Sequence, residues 1–208
     1  MKHGFWRAAL IASACIFSVS ALGAPRLTPQ EVVQNTAEQV LRILDGEQEK
    51  LKQDPERLHE VVEDYIVPNF SFTTMSRLVL GRHWQRANDR QREQFTQAFR
   101  SLLVTTYTQS LLDYTGVPIR YLPVHMGADA DSATVRTEIL PPARPPVAIG
   151  YRLRLIRGEW KVIDVVVEGV SLVTNYRTEF STEISQRGLD GLIRSLEARA
   201  QSRNPPIN

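Results

Sequence analysis

Between residues 28 and 116 the apolar positions recur at spacings of three and four, the period of one helix face. Thr28-Pro29-Gln30-Glu31 supplies a capping threonine, a proline at the first helical position and a glutamate at the third. Val32, Val33, Val40, Leu41 and Leu44 continue the stripe, which predicts a first helix ending near Gly46. Asp54-Pro55 predicts a second helix carrying Leu58, Val61, Val62, Tyr65 and Ile66, closed by Pro68. A short third helix is expected over residues 71–80, with Gly81 as its stop. Asn88 or Asp89 opens the longest predicted helix. Phe95, Ala98, Phe99, Leu102, Leu103, Tyr107, Leu111 and Tyr114 form its apolar face, and Gly116 ends it.

At residue 117 the period changes to two. Val117, Ile119 and Tyr121 alternate with Pro118, Arg120 and Leu122; Ala133, Val135, Thr137 and Ile139 alternate with Thr134, Arg136 and Glu138. The cleanest run has Val147, Ile149, Tyr151, Leu153 and Leu155 on one face and Arg152 and Arg154 on the other. Arg157-Gly158-Glu159 reads as a hairpin turn into a last strand over residues 160–167. Short connections predict an antiparallel, curved sheet of about four strands with one buried face. Helix returns over 171–200, interrupted at Gly188, and residues 201–208 read as a flexible tail. The pattern therefore predicts an α+β domain over 24–200, with helices over 28–116, the sheet over 117–168 and helices again after it.

The first segment reads as an address. Lys2 and Arg7 precede an uncharged apolar stretch over 8–22, and small residues follow at Ala21, Gly23 and Ala24. This is the three-part pattern of a secretory signal peptide, expected to be cut after Gly23. The apolar stretch is short of the roughly 20 residues a spanning helix needs. Cys15, the one cysteine, lies inside that stretch with Ile16 and Phe17 after it, whereas a lipid-modified cysteine ends such a run. The exported chain is then expected to lack any disulfide, thiol nucleophile or thiolate metal site.

Composition adds one exclusion. The chain has 42% hydrophobic and 23% charged residues, ordinary for a globular protein. Lys2 and Arg7 account for the whole excess of 25 basic over 23 acidic residues. A balanced remainder argues against nucleic-acid binding and against electrostatic adsorption to an anionic membrane.

Reactive constellations are scarce. His3, His59, His83 and His125 lie at no metal-ligand spacing, and no metal is expected. Gly169-Val170-Ser171-Leu172-Val173 begins like a nucleophile elbow, but Val173 replaces the second glycine; Ser171 reads more simply as a helix N-cap. Asp164 is either a buried acid or an acceptor for nearby backbone or an arginine. The aromatic side chains Phe99, Tyr107, Tyr114, Tyr151, Tyr176 and Phe180 fit a packed core or the wall of an apolar cavity.

Three blocks carry a family resemblance over residues 28–196. The first is Phe72-Thr73-Thr74-Met75-Ser76-Arg77-Leu78-Val79-Leu80-Gly81-Arg82-His83-Trp84. The second runs from Gln91-Arg92-Glu93-Gln94-Phe95 through Ala98-Phe99-Arg100-Ser101-Leu102-Leu103 to Thr106-Tyr107. The third holds Gly158-Glu159-Trp160-Lys161-Val162-Ile163-Asp164-Val165 and Val167-Glu168-Gly169-Val170-Ser171-Leu172-Val173-Thr174-Asn175-Tyr176-Arg177. In this order the blocks resemble the MlaC family, periplasmic phospholipid-binding components also called toluene-tolerance proteins.

The resemblance implies a curved sheet and helices enclosing an apolar lipid cavity, no cofactor beyond the bound glycerophospholipid, and no reaction. It implies a periplasmic carrier between an outer-membrane lipoprotein–porin complex and an inner-membrane ABC transporter complex with its substrate-binding subunit, maintaining outer-membrane lipid asymmetry. The cavity is then expected between Val147, Ile149, Tyr151, Val165 and Val167 on the sheet and Phe99, Leu103, Tyr107 and Leu111 opposite, with Leu172 and Tyr176 at the rim. Two alternatives stand beside it: a carrier of another hydrophobic ligand, and a cavity-based periplasmic enzyme using Asp164 with His125. Protein exported to a bacterial periplasm is expected to begin at Ala24 by N-terminal sequencing; a mature chain still starting at Met1 contradicts the signal-peptide reading.

Overall fold

The computed structural model describes residues 27–203. The expected signal peptide, Cys15 and the last five residues lie outside that range. Helix α1 (Pro29–Gln53) opens with the anticipated capping box: the Thr28 amide donates to Glu31 Oε2 at 2.7 Å and the Glu31 amide to Thr28 Oγ1 at 3.3 Å. It does not end at Gly46. The backbone breaks at Glu47 (φ −121°, ψ 19°) and the helix resumes to Gln53, carrying Leu51 into the core. Asp54 then caps α2 (Pro55–Val61), which passes into a π-turn over Val62–Ile66 and a 3-10 turn over Val67–Asn69.

Ser71 caps α3 (Phe72–Leu80), and Gly81 at φ 51° ends it. A short α4 (Arg82–Arg86) follows, too brief to show a period. Asn88 and Gln91 form a second capping box at the start of α5 (Asp89–Tyr107). This helix is shorter than α1, and Leu111 and Tyr114 fall beyond it in a 3-10 segment (Gln109–Tyr114).

The sheet has six strands: β1 (Ile119–Tyr121), β2 (His125–Met126), β3 (Ser132–Ile139), β4 (Val147–Ile156), β5 (Glu159–Val167) and β6 (Val170–Ser171). All paired strands are antiparallel in the order β1-β3-β4-β5-β6, and β2 shares the edge of β3 with β1. The two extra strands are two residues long, below what alternation in sequence can show. Two tight turns close the hairpins. Arg157 and Gly158 (φ 50° and 88°) join β4 to β5, and Glu168 and Gly169 (φ 50° and 81°) join β5 to β6. Positive φ at both central residues matches the twist of the flanking strands.

Helix α6 (Leu172–Arg203) breaks at Gly188 (φ 71°, ψ 174°). Its second half folds back on the first: Arg199 reaches Glu179 at 2.6 Å and Glu183 at 2.9 Å, twenty and sixteen residues earlier. Leu192, Ile193 and Leu196 thereby join Phe95, Phe99, Leu103, Tyr176 and Phe180 in one cluster of α3, α5 and α6. Phe99 stacks on Phe95 at 5.7 Å and meets Tyr176 and Phe180 edge-on at 5.4 and 5.9 Å.

A second cluster joins α1 to the sheet through Val32 and Val33 against Val135, Leu153 and Val162. A third joins Val40, Leu44 and Leu51 of α1 to Leu58 and Val61 of α2, with Leu111 and Leu112 packed alongside. Phe70 links the first two clusters, held by a parallel bridge to Val162 and the Ser71 amide on the Val162 carbonyl at 2.9 Å. Phe99→Ala empties a fully buried aromatic site and is expected to lower stability by about 3–5 kcal/mol in urea titration.

Candidate functional site

One residue sets the faces of β5. Leu153 pairs with Val162 and Arg152 with Asp164, so Ile163 is an extra residue opposite a single step of β4. Such a bulge reverses the side-chain alternation beyond it. Trp160 and Val162 face inward before it, and Val165 and Val167 face inward after it, beside their partners Tyr151 and Ile149. Asp164 turns to the other face.

The inner face is unevenly filled. Ala133, Val135, Leu153 and Val162 are buried, the last three in the cluster beneath Val32 and Val33. Val147, Ile149, Tyr151, Val165 and Val167 are half-buried and retain accessible apolar surface. Register makes them neighbours: Val147 lies beside Ile139, Ile149 between Thr137 and Val167, and Tyr151 between Val135 and Val165. The five sheet residues expected from sequence therefore form one contiguous strip.

The helical residues expected opposite them lie elsewhere. The helix packed across β3 is α1, while α5 packs on α3 and α6. Phe99 and Leu103 are buried among helices, with Phe99 0% exposed, and Tyr176 packs beside them. Tyr107 is 41% exposed at the end of α5, and half-buried Leu111 packs on the α1–α2 cluster. Leu172 is half-buried at the start of α6. The aromatic spacing of α5 marks a core face, and nothing in that spacing tells which neighbour it meets.

Asp164 works as a clamp. Only 2% exposed, it accepts from the Val173 amide at 3.1 Å, the Ser171 hydroxyl at 2.7 Å and Arg152 Nη1 at 3.1 Å. Ser171 in turn accepts from the Thr174 amide at 3.1 Å, so the elbow-like segment is the N-cap of α6. His125 is not joined to Asp164: it pairs with Arg136, and strand register sets it three strands away, about 14 Å at strand spacing. Among the described residues no group of three His, Cys, Asp or Glu side chains is placed to hold a metal ion. No described helix is long and apolar enough to cross a membrane.

One phenol, Tyr121, and one hydroxyl, Thr137, were not singled out by sequence reasoning. Tyr121 pairs with Thr137 across β1 and β3, which puts both on the inner face with Tyr151. Burial, with smaller contributions from Tyr151 and Glu38, pushes the Tyr121 phenol up to about 12. Burial also raises Tyr151, and the adjacent Thr137 hydroxyl partly offsets the rise. The alternation in residues 117–139 already carried Tyr121 and Thr137 on the apolar face; their polar atoms were the available signal.

The curved antiparallel sheet flanked by helices matches the fold of a solved phospholipid-binding protein. One from Ralstonia solanacearum, solved in complex with a phospholipid, matches with a TM-score of 0.78 at 28% identity, covering 86% of this chain and 99% of that one. The chain belongs to the MlaC family, whose model, described as MlaC protein, matches residues 34–198. It is similar to the intermembrane phospholipid transport system binding protein MlaC of Haemophilus influenzae, 26% identical over 92% of this chain and 89% of the relative. It is likewise 26% identical to the toluene tolerance protein ttg2D of Pseudomonas putida, over 78% of this chain and 76% of that protein.

Asp164→Ala leaves the Val173 amide without its acceptor. It is expected to cost about 1.5–3 kcal/mol, with the first turn of α6 losing amide-exchange protection first.

Proposed function

We propose that this protein is a periplasmic phospholipid carrier, holding the acyl tails of a glycerophospholipid against the inner face of its sheet while the head group stays near solvent. The observation that carries the reading is the contiguous apolar strip Val147, Ile149, Tyr151, Val165 and Val167, in a fold shared with a phospholipid-bound relative. Tyr151 sharpens it. Burial raises its phenol pKa, and the residue still keeps part of its surface accessible to a ligand. Tyr107, Leu111 and Leu172 have accessible surface to add to the opposite wall and rim. Phe99, Leu103 and Tyr176 reach a ligand only if the helices part.

Energetics favour a carrier over free diffusion. Taking about 30 methylenes out of water is worth about 0.8 kcal/mol each, on the order of 24 kcal/mol for a two-tailed lipid. A free lipid therefore crosses water at a negligible rate. Between membrane and protein the tails exchange one apolar phase for another, so transfer is near neutral, and direction must come from docking partners or ATP hydrolysis. We infer that those partners are the outer-membrane lipoprotein–porin complex and the inner-membrane ABC transporter complex, and that the traffic maintains outer-membrane lipid asymmetry. No reaction is assigned to the chain. The oxygens of Asp164 are engaged by Ser171, Val173 and Arg152, which favours a structural role over the acid of a cavity enzyme.

The test is phospholipid transfer between donor and acceptor vesicles separated by an aqueous phase. The natural protein is expected to accelerate transfer, and Val165→Arg, which puts a charge on the strip, to reduce it at least about tenfold with circular dichroism unchanged. A folded Val165→Arg protein that transfers lipid normally overturns this placement of the tails.

A further inference from the structure

The inner face of the sheet is apolar except at one place. Register puts Tyr121 of β1 beside Thr137 of β3, and Thr137 diagonal to Tyr151 of β4, so three hydroxyl groups gather on one patch. Thr137 is 2% exposed, and its Oγ1 is wholly buried with no hydrogen-bond partner. It lies against the Tyr151 phenol without completing a bond to it. Buried polar atoms are normally satisfied, so an orphan at this point marks a network lacking a member.

The charges around the patch narrow that member's chemistry. Arg120, Arg136 and Arg152 alternate onto the opposite face of the sheet, where Arg120 pairs with Glu138 and Arg152 with Asp164. At Tyr121 burial dominates, and exposed Glu38 on α1 adds only a small negative contribution. With those arginines on the other face, a phosphate or a free carboxylate finds no ion pair from them at the patch. The patch offers neutral donors: a phenol is protonated at neutral pH, and burial moves both further from ionising. A neutral acceptor fits, and it must be attached to hydrocarbon because the surrounding strip is apolar.

We propose that Tyr121 and Tyr151 form a polar subsite that donates hydrogen bonds to the ester carbonyl oxygens of a bound glycerolipid, with Thr137 as the positioning residue that orients the Tyr151 hydroxyl. The proposal rests on the carrier reading and deepens it. The subsite fixes the depth of the ligand: ester groups sit at the hydroxyl patch, and tails lie along Ile149, Val165 and Val167. With lipid bound, Thr137 turns its hydrogen to the Tyr151 phenol oxygen, and the Tyr151 hydrogen is left for the ester.

The experiment equilibrates the full exported protein with vesicles holding equal amounts of diester and diether phosphatidylethanolamine with matched tails. The protein is then re-isolated without detergent and the bound ratio read by mass spectrometry. Diether lipid has the same tails and head group but no carbonyl. The natural protein is expected to enrich the diester about three- to tenfold, the worth of one net hydrogen bond. Tyr121→Phe with Tyr151→Phe is expected to bring the ratio, read on whatever lipid is bound, to near one, and Thr137→Val to lower it part-way. Equal uptake of both lipids by the natural protein overturns the subsite and leaves the carrier reading standing, as does a preference that survives the double Phe substitution. A protein that takes up neither lipid overturns both.

Discussion

A single inserted residue, Ile163, decides which side of β5 faces the interior. Were Ile163 an ordinary member of the ladder, strict alternation from Val162 would turn Asp164 and Val166 inward and Val165 and Val167 outward. A carboxylate would then stand in the apolar face with no partner, and the apolar strip would lose two of its five members. With the bulge, Val165 and Val167 complete the strip beside Tyr151 and Ile149, and Asp164 reaches the amide of Val173 on the other face. The same residue therefore settles both the lining of the candidate site and the anchoring of α6.

The core is divided so that this strip is left incompletely filled. The α3, α5 and α6 helices satisfy one another through the Phe95, Phe99 and Phe180 cluster, closed by the return of α6 at Gly188. Helix α1 spends Val32 and Val33 on the sheet and then turns its later apolar residues, Val40, Leu44 and Leu51, toward α2. Among the described residues no other buried cluster covers Val147, Ile149, Val165 and Val167 completely, and they keep accessible apolar surface. A contiguous apolar strip left partly uncovered on one sheet face is a candidate binding surface.

Much of this was legible in the sequence. Thr28, Asp54, Ser71 and Asn88 cap helices as their types and spacings imply, and the face of β3 with Ala133, Val135, Thr137 and Ile139 is buried as the alternation requires. Other features were not. The break at Glu47 has no glycine or proline at the breaking residue itself, and β2, β6 and α4 are shorter than one period of their own pattern. The bulge at Ile163 sits in the run Val162-Ile163-Asp164-Val165-Val166-Val167, where apolar residues fall on both parities and alternation does not show which face is inner. Which helix covers the sheet is a tertiary choice: the apolar faces of α1 and α5 read alike along the chain, and their partners emerge only on packing. Tyr121 and Thr137 escaped notice because a polar residue on an apolar face reads as noise until its neighbours are known.

Native mass spectrometry of protein exported to a bacterial periplasm and purified without detergent tests the central claim most directly. The account predicts a stoichiometric adduct that solvent extraction resolves to glycerophospholipid. A bare chain mass that also refuses added phospholipid would contradict it and would mean that the inner face of the sheet closes on itself.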